Sequence, residues 1–498
     1  MARSPRSPRS PSATFRPRPP ETVRPGRPPL PVGDRRLLFV LVPHLCFLPW
    51  ALGTMHPWSQ LTSLGLGLAS LLVVLFAPTD AAPPAWWRLI RFPPFWIGLG
   101  LLLYLLVQAG NPSWRYATNG TSWWLTRLPD NDWLPTSVDT PFARFNLWRQ
   151  FIIYAAAWLT LCAAGVGLTR RRSCAIILAS LAFNALVLAL IGLYFRFTQA
   201  PDQLLWLAGH RPGAVTFASF IYKNHAGAYL SLAAVAWVVL AVRYHGRSLR
   251  EQAPSSPALL YALGAGLLFG AVIYTYSRGA ALLLGAYLLA AAGLFILHRL
   301  LSRTESTTPR VVTFIVSSMV LFVVVFATAQ LDLEMIVQRF ELLADGGQKD
   351  ISILLRHDAN SASLDMLSDR WPRGVGAGGF RFLFPEYIRR YEASYQGGQL
   401  FWEHAHNDWL ELPIELGAVG VALLATGAAW WVIRLVRLGV WRRLPTLLLA
   451  LGLLQTPLHA VFDFPYQNPA ILITWLMLAV LVIRWTELRP GGAAASGL

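Results

Sequence analysis

Residues 404–420 read His404-Ala-His406-Asn407-Asp408-Trp409-Leu-Glu411-Leu-Pro413-Ile-Glu415-Leu-Gly417-Ala-Val-Gly420. Two histidines, an amide and three carboxylates end the longest polar segment and run straight into an apolar stretch. Ionisable groups at the edge of an apolar span are expensive and need a reason. An imidazole can act as a general base near neutral pH, which makes His406 the first candidate for chemistry. If a helix starts near His406, then Glu411 and Glu415 share a face, and Asp408 lies close to it. A structural reading competes: Asn407 or Asp408 caps the helix and the acids favour its first turn. A metal bound by His404, His406 and Asp408 is a third possibility, but the spacing has no HExxH-like pattern.

Cations come next. Arg278 stands between two apolar runs with small residues around it. Such an arginine either reaches lipid headgroups or binds an anion. Arg211, Lys223, Asn224 and His225 precede another apolar run. Arg211, Lys223 and Arg278 together would suit a diphosphate, because guanidinium forks match phosphate oxygens and an ammonium adds a point charge. Arg356-His357 falls in a stretch of helical spacing, residues 351–369, and could equally be a solvated face. Asp130-Asn131-Asp132 could hold a divalent cation, although the triplet is also common turn composition. Trp114, Trp123, Trp124 and Trp133 read as interfacial anchors ahead of a sugar-stacking surface. The Gly-rich run 374–379 reads as a tight external turn, since no strand precedes it and no helix opens from it.

The scaffold must bring these groups to one edge. The chain is 55% hydrophobic and 13% charged, with 21 Trp and 26 Phe. Soluble domains carry roughly 25% charged residues, so the composition indicates a polytopic membrane protein. The net charge of +17 is dispersed in short blocks between apolar runs, which fits membrane topology and excludes a nucleic-acid binder. Cys46, Cys162 and Cys174 sit in or beside apolar runs and form no disulfide framework. Residues 1–36 read as a disordered Arg/Pro-rich cytoplasmic tail. Apolar runs near 37–54, 60–77, 94–110, 150–168, 174–196, 226–243, 258–276, 279–297, 311–330, 412–432, 444–463 and 469–485 have the length of membrane spans. Their basic loops all fall on the side of the N-terminus, so both termini are expected in the cytoplasm. The expected organisation is spans one to nine over 37–330, a large periplasmic loop over 331–411, spans ten to twelve over 412–485, and a tail over 486–498. The fold class is therefore an all-α polytopic membrane protein of about twelve transmembrane helices.

His406-Asn407, nine residues, Gly417, two residues, Gly420 resembles the signature of the O-antigen ligase and O-antigen polymerase superfamily. The segments Gly374-Val-Gly376-Ala-Gly-Gly-Phe380, Ala218-Ser-Phe220-Ile-Tyr222-Lys223-Asn224-His225-Ala226, Tyr276-Ser277-Arg278-Gly279 and Ala460-Val-Phe-Asp463-Phe464-Pro465 resemble the same superfamily in order and spacing. Tyr222 and Lys223 depart from it, standing where Asn and Arg are frequent. The resemblance implies a GT-C-type glycosyltransferase in the bacterial inner membrane, inverting and metal-independent, with no cofactor. Its donor would be a glycan on undecaprenyl diphosphate. Its acceptor would be lipid A–core for an O-antigen ligase, a growing glycan for a polymerase, or a protein for an O-oligosaccharyltransferase. By the same resemblance His406 would be the base and Arg278, with Arg211 or Lys223, would hold the diphosphate. Asn224, Arg356 and Asn407 would line the substrate site. A lipid-glycan transporter is the alternative from a different class, and the crowding of polar residues at one external edge argues against it.

Overall fold

The computed structural model describes residues 29–76, 83–198, 215–251, 256–301, 351–395 and 401–488. All the apolar runs except 311–330 fall in those stretches, and each forms helix. The run 311–330 and Arg211 lie outside the described residues.

Helix α1 (Val32–Trp50) leads into α2 (Pro57–Phe76), the short α3 (Ala85–Ile90) and α4 (Pro93–Gly110). A small sheet follows, then α5 (Leu147–Gly167), α6 (Arg171–Thr198), α7 (Lys223–Glu251), α8 (Ala258–Tyr274) and α9 (Arg278–Leu301). After α9 come α10 (Ile351–Arg370) and three single turns, α11 (Phe380–Leu383), α12 (Pro385–Ile388) and α13 (Glu392–Tyr395). The chain closes with α14 (Asp408–Leu438), α15 (Leu444–Gly452), α16 (Gln455–His459) and α17 (Pro469–Glu487). Among the described residues, eight helices are long and apolar enough to cross a membrane: α2, α4, α5, α6, α7, α9, α14 and α17. The other expected spans among the described residues depart from a long, plain apolar helix. α1 carries Asp34, Arg35, Arg36 and two internal prolines, Pro43 and Pro49. α8 is shorter, and the run 444–463 breaks into α15 and α16. The chain is a multi-pass membrane protein, since a helix is the form that satisfies its own backbone in lipid.

α5, α7 and α17 make the centre, with α17 packed on both of the others. Trp237 and Tyr229 of α7 are fully buried. The Trp237 indole lies where a Cβ on Gly264 of α8 would stand, and its N–H donates to the Ala182 carbonyl of α6 at 2.9 Å. Leucines, valines and aromatics on the outer faces stay exposed, as lipid-facing surfaces do.

The all-α expectation is corrected by the sheet after α4. β1 (Pro112–Thr118) pairs antiparallel with β2 (Trp123–Arg127) and parallel with β3 (Ser137–Asp139), giving the order β2-β1-β3. Alternating side chains of β1 and β2, among them Trp114, Tyr116, Trp123 and Leu125, pack on a second core. Its other members include Val138, Ala359, Met366, Phe380, Phe384, Tyr387 and Ile414. Trp114 and Trp123 are thus part of a folded layer at one end of the bundle, whereas Trp124 and Trp133 face outward.

At the opposite end of the bundle, charges are neutralised locally. Buried Asp34 accepts from the Thr169 hydroxyl at 2.5 Å and from the Ser173 hydroxyl. Glu487 receives Arg434 at 2.6 Å and Arg484 at 2.7 Å. Arg484 also donates to the Leu168 carbonyl, and Arg88 to the Val166 carbonyl. Orphan carbonyls at helix C-termini need such donors.

Candidate functional site

The site is positioned by a break in α14. Pro413 has no N–H to give, and Gly417 adopts φ 61 and ψ −169 inside the helix. The carbonyls of Ile414 and Glu415 accept instead from Val375 and Gly376 N–H, each at 2.9 Å. In return Ala418 N–H donates to Pro372 at 2.8 Å. A Cβ on Gly417 would stand 2.4 Å from the Pro372 oxygen, and one on Gly374 (φ +77) 2.7 Å from the Gly417 nitrogen. Only paired glycines permit that approach. The run 374–379 is the expected turn, but it is buried against α14 and not an exposed loop.

Asn407 caps α14, its side-chain oxygen accepting from Trp409 N–H at 3.1 Å. The helix therefore starts at Asp408, two residues after His406, and the capping expectation and the histidine candidate coexist. His406 is held at φ +54, a region that costs a non-glycine residue about 1 kcal/mol or more. Its side chain is 26% exposed, and Nδ1 faces Asp463 Oδ1 at 3.7 Å. Asp463 is fully enclosed. It accepts from Phe464 N–H at 2.9 Å and from the Asn224 amide, and His459 Nε2 lies 3.7 Å from its other oxygen. Burial works to raise its pKa, but the facing imidazoles of His406 and His459 outweigh it and hold it at about 2. Asp463 is an anion at working pH.

Phe464 is the hub. Tyr222 stacks on it at 5.3 Å and His404 at 4.3 Å, while His225 and His406 meet it edge-on at 4.9 Å. His404 lies in a closed environment. Its Nδ1 lies 2.7 Å from Glu411 and its Nε2 3.2 Å from Arg381. Glu411 also accepts from Ala405 N–H at 2.8 Å. Burial, then the Arg381 charge, pushes the His404 pKa well below 6.5. Asp408, Glu411 and Glu415 are all buried on the inner face of α14, as their spacing implies.

The cations gather beside this pair. Lys223, at the first position of α7, is within electrostatic reach of Arg278, Arg196 and Arg356. Arg278 opens α9 and is exposed. Arg356 of α10 approaches the Tyr222 hydroxyl, which also accepts from the Asn224 amide at 2.7 Å. The structure thus brings together His406, Lys223, Asn224, Arg278, Arg356 and Asn407. Asn407 reaches Asn360 of α10 with its amide at 3.5 Å.

Asp130 and Asp132 lie elsewhere. Both pair with Arg373, Asp132 at 3.4 Å, and the guanidinium also donates to the Asn131 and Leu134 carbonyls. They form the turn their composition suggests. Sequence reasoning gave no role to Asp463, Arg381, Tyr222 or Arg196. A signal for Asp463 existed: one acid in the apolar stretch Val461-Phe462-Asp463-Phe464 is as costly as the polar residues of 404–415.

Residues 263–425 match the family model described as O-Antigen ligase. No curated protein matches the chain. The matched stretch includes Arg278, Arg356, His406 and Asn407, and it runs from α8 past the break in α14. Over this stretch, and not over the whole chain, the sequence is similar to the O-antigen ligase family.

Proposed function

We propose that the chain transfers a glycan from undecaprenyl diphosphate to an acceptor hydroxyl, on the periplasmic side of a bacterial inner membrane. The acceptor is lipid A–core, which makes the activity that of an O-antigen ligase. The family match supports a glycosyltransferase of the ligase or polymerase type, and the site's geometry supports this chemistry. One observation carries it: His406 is partly open, faces a buried carboxylate at 3.7 Å and adjoins a cluster of cations.

In this reading Asp463 orients the His406 ring and steadies the imidazolium that forms. Nδ1–H points at the carboxylate, leaving Nε2 to take the acceptor proton. The 3.7 Å gap closes on binding, as catalytic hydrogen bonds commonly tighten in the substrate complex. The acceptor oxygen attacks the anomeric carbon, the bond to the diphosphate breaks, and configuration inverts. Lys223, Arg278 and Arg356 meet the charge growing on the diphosphate. Residues of this chain supply base and electrophilic assistance, and the driving force comes from breaking the glycosyl–phosphate bond, with undecaprenyl diphosphate as the leaving group.

The test is glycan transfer in membranes bearing His406→Ala, with abundance and melting checked. Transfer should fall about a thousandfold while donor binding persists. Near-normal transfer would return the stretch to a helix cap. In cells, deletion of a ligase leaves polymer on the carrier, whereas deletion of a polymerase leaves single repeats.

A further inference from the structure

The external layer has a side that its own packing does not use. The turn 130–135 consumes its polar groups internally. Asn111, the C-cap of α4, gives its amide to the carbonyls of Asn131, Leu134 and Pro135 and accepts from Asn131 N–H at 2.9 Å. Arg373 adds bonds to Asp130, Asn131, Asp132 and Leu134. A turn pinned this fully is rigid, yet it holds Trp133 at 95% exposure. A second turn repeats the plan. Asn146, the N-cap of α5, donates its amide to the Thr140 carbonyl at 3.1 Å, and Phe142 beside it is exposed. Trp148, in the first turn of α5, is 49% exposed.

Two asparagines that cap neighbouring membrane helices therefore each hold a turn with an aromatic side chain directed away from the protein. α4 and α5 pack together, so both turns stand where the two helices leave the bilayer. Tryptophan at that height gains from the headgroup boundary, where its ring is apolar and its N–H stays wet.

We infer that residues 130–148 form a membrane seat, with Trp133, Phe142 and Trp148 inserted at the headgroup–acyl boundary of the leaflet on the site's side. The occupant is phospholipid. The seat also sets the height of the site. Arg373, which locks the first turn, precedes Gly374, which packs against Gly417 at the break in α14. A lipid-linked substrate carries its reactive group near the headgroups, so that height matters to any such reaction.

The test uses Trp133→Cys and, separately, Phe142→Cys, in a Cys46→Ala background in lipid nanodiscs. Cys162 and Cys174 are fully buried and stay unlabelled. Each new cysteine carries an environment-sensitive nitrobenzoxadiazole label, with His357→Cys, at an exposed position of α10, as the aqueous reference. Labels at 133 and 142 should emit to the blue of the reference and lose about half their intensity to headgroup-proximal doxyl lipids. Water-like emission without lipid quenching would overturn the seat. So would emission indifferent to doxyl lipids but shifted by a soluble oligosaccharide such as maltoheptaose, which would make the patch a sugar-stacking surface. Neither result depends on whether His406 is the base.

Discussion

The two ends of the helix bundle use the same residue types to opposite purposes. At one end Arg434 and Arg484 close on Glu487, Asp34 closes on hydroxyls, and Arg484 and Arg88 also close on backbone carbonyls. Charge there is spent on joining helices. At the other end Lys223 lies where Arg196, Arg278 and Arg356 all repel it. Gathering like charges costs stability and favours the binding of an anion. The difference teaches that a basic cluster marks a binding site by the company its cations keep, not by their number.

Substitutions can break this contrast. The largest effect belongs to His406→Ala, described above. Next, Arg278→Ala should weaken binding of undecaprenyl diphosphate about tenfold to a hundredfold, read by titration in detergent, with little change in melting. Lys223→Ala and Arg211→Ala, measured beside it, show which is the second phosphate contact. At the other end the pattern inverts: Glu487→Ala should cost about 3 kcal/mol of stability by stranding two guanidinium groups, while activity per folded molecule stays level. A smaller effect concerns His404. Its folded pKa lies below its unfolded value of 6.5, so the unfolded chain binds the extra proton and stability falls as pH drops below about 6.5. His404→Gln should flatten melting curves over that window. The smallest effect is Asp132→Ala, at an exposed carboxylate, expected to change stability by under about 0.5 kcal/mol and transfer not at all. Loss of transfer in that variant and in chelator would instead indicate a metal-dependent reaction.

Much of this contrast is legible in the sequence, for physical reasons. A span announces itself because lipid tolerates little but apolar helix, and His406 stands out because a polar cluster at such an edge is costly. The sheet was hidden because β1 and β2 put aromatic residues where interfacial anchors also put them. Trp123 and Trp133 look alike in a sequence, yet one packs on Phe382 and the other faces outward. Asp463 is recognisable as part of a late external turn, but its partnership with His406 spans 57 positions and depends on how α16 and α14 meet. The break in α14 needed the structure too. Pro413 and Gly417 suggest a kink, but not that another segment takes over the freed carbonyls.

That break also works as a ruler. From Gly417 to Leu438 the helix measures roughly 33 Å at 1.5 Å per residue, close to the ~30 Å hydrocarbon thickness. The segment above it, Asp408–Leu416, is surplus to crossing the bilayer. Two helical segments joined at Gly417 thus divide the work, and the three acids, Asp408, Glu411 and Glu415, all lie on the one not needed to span. Lengthening the lower section by a turn would move His406 by about 5 Å against Asp463 and Phe464, which other elements hold.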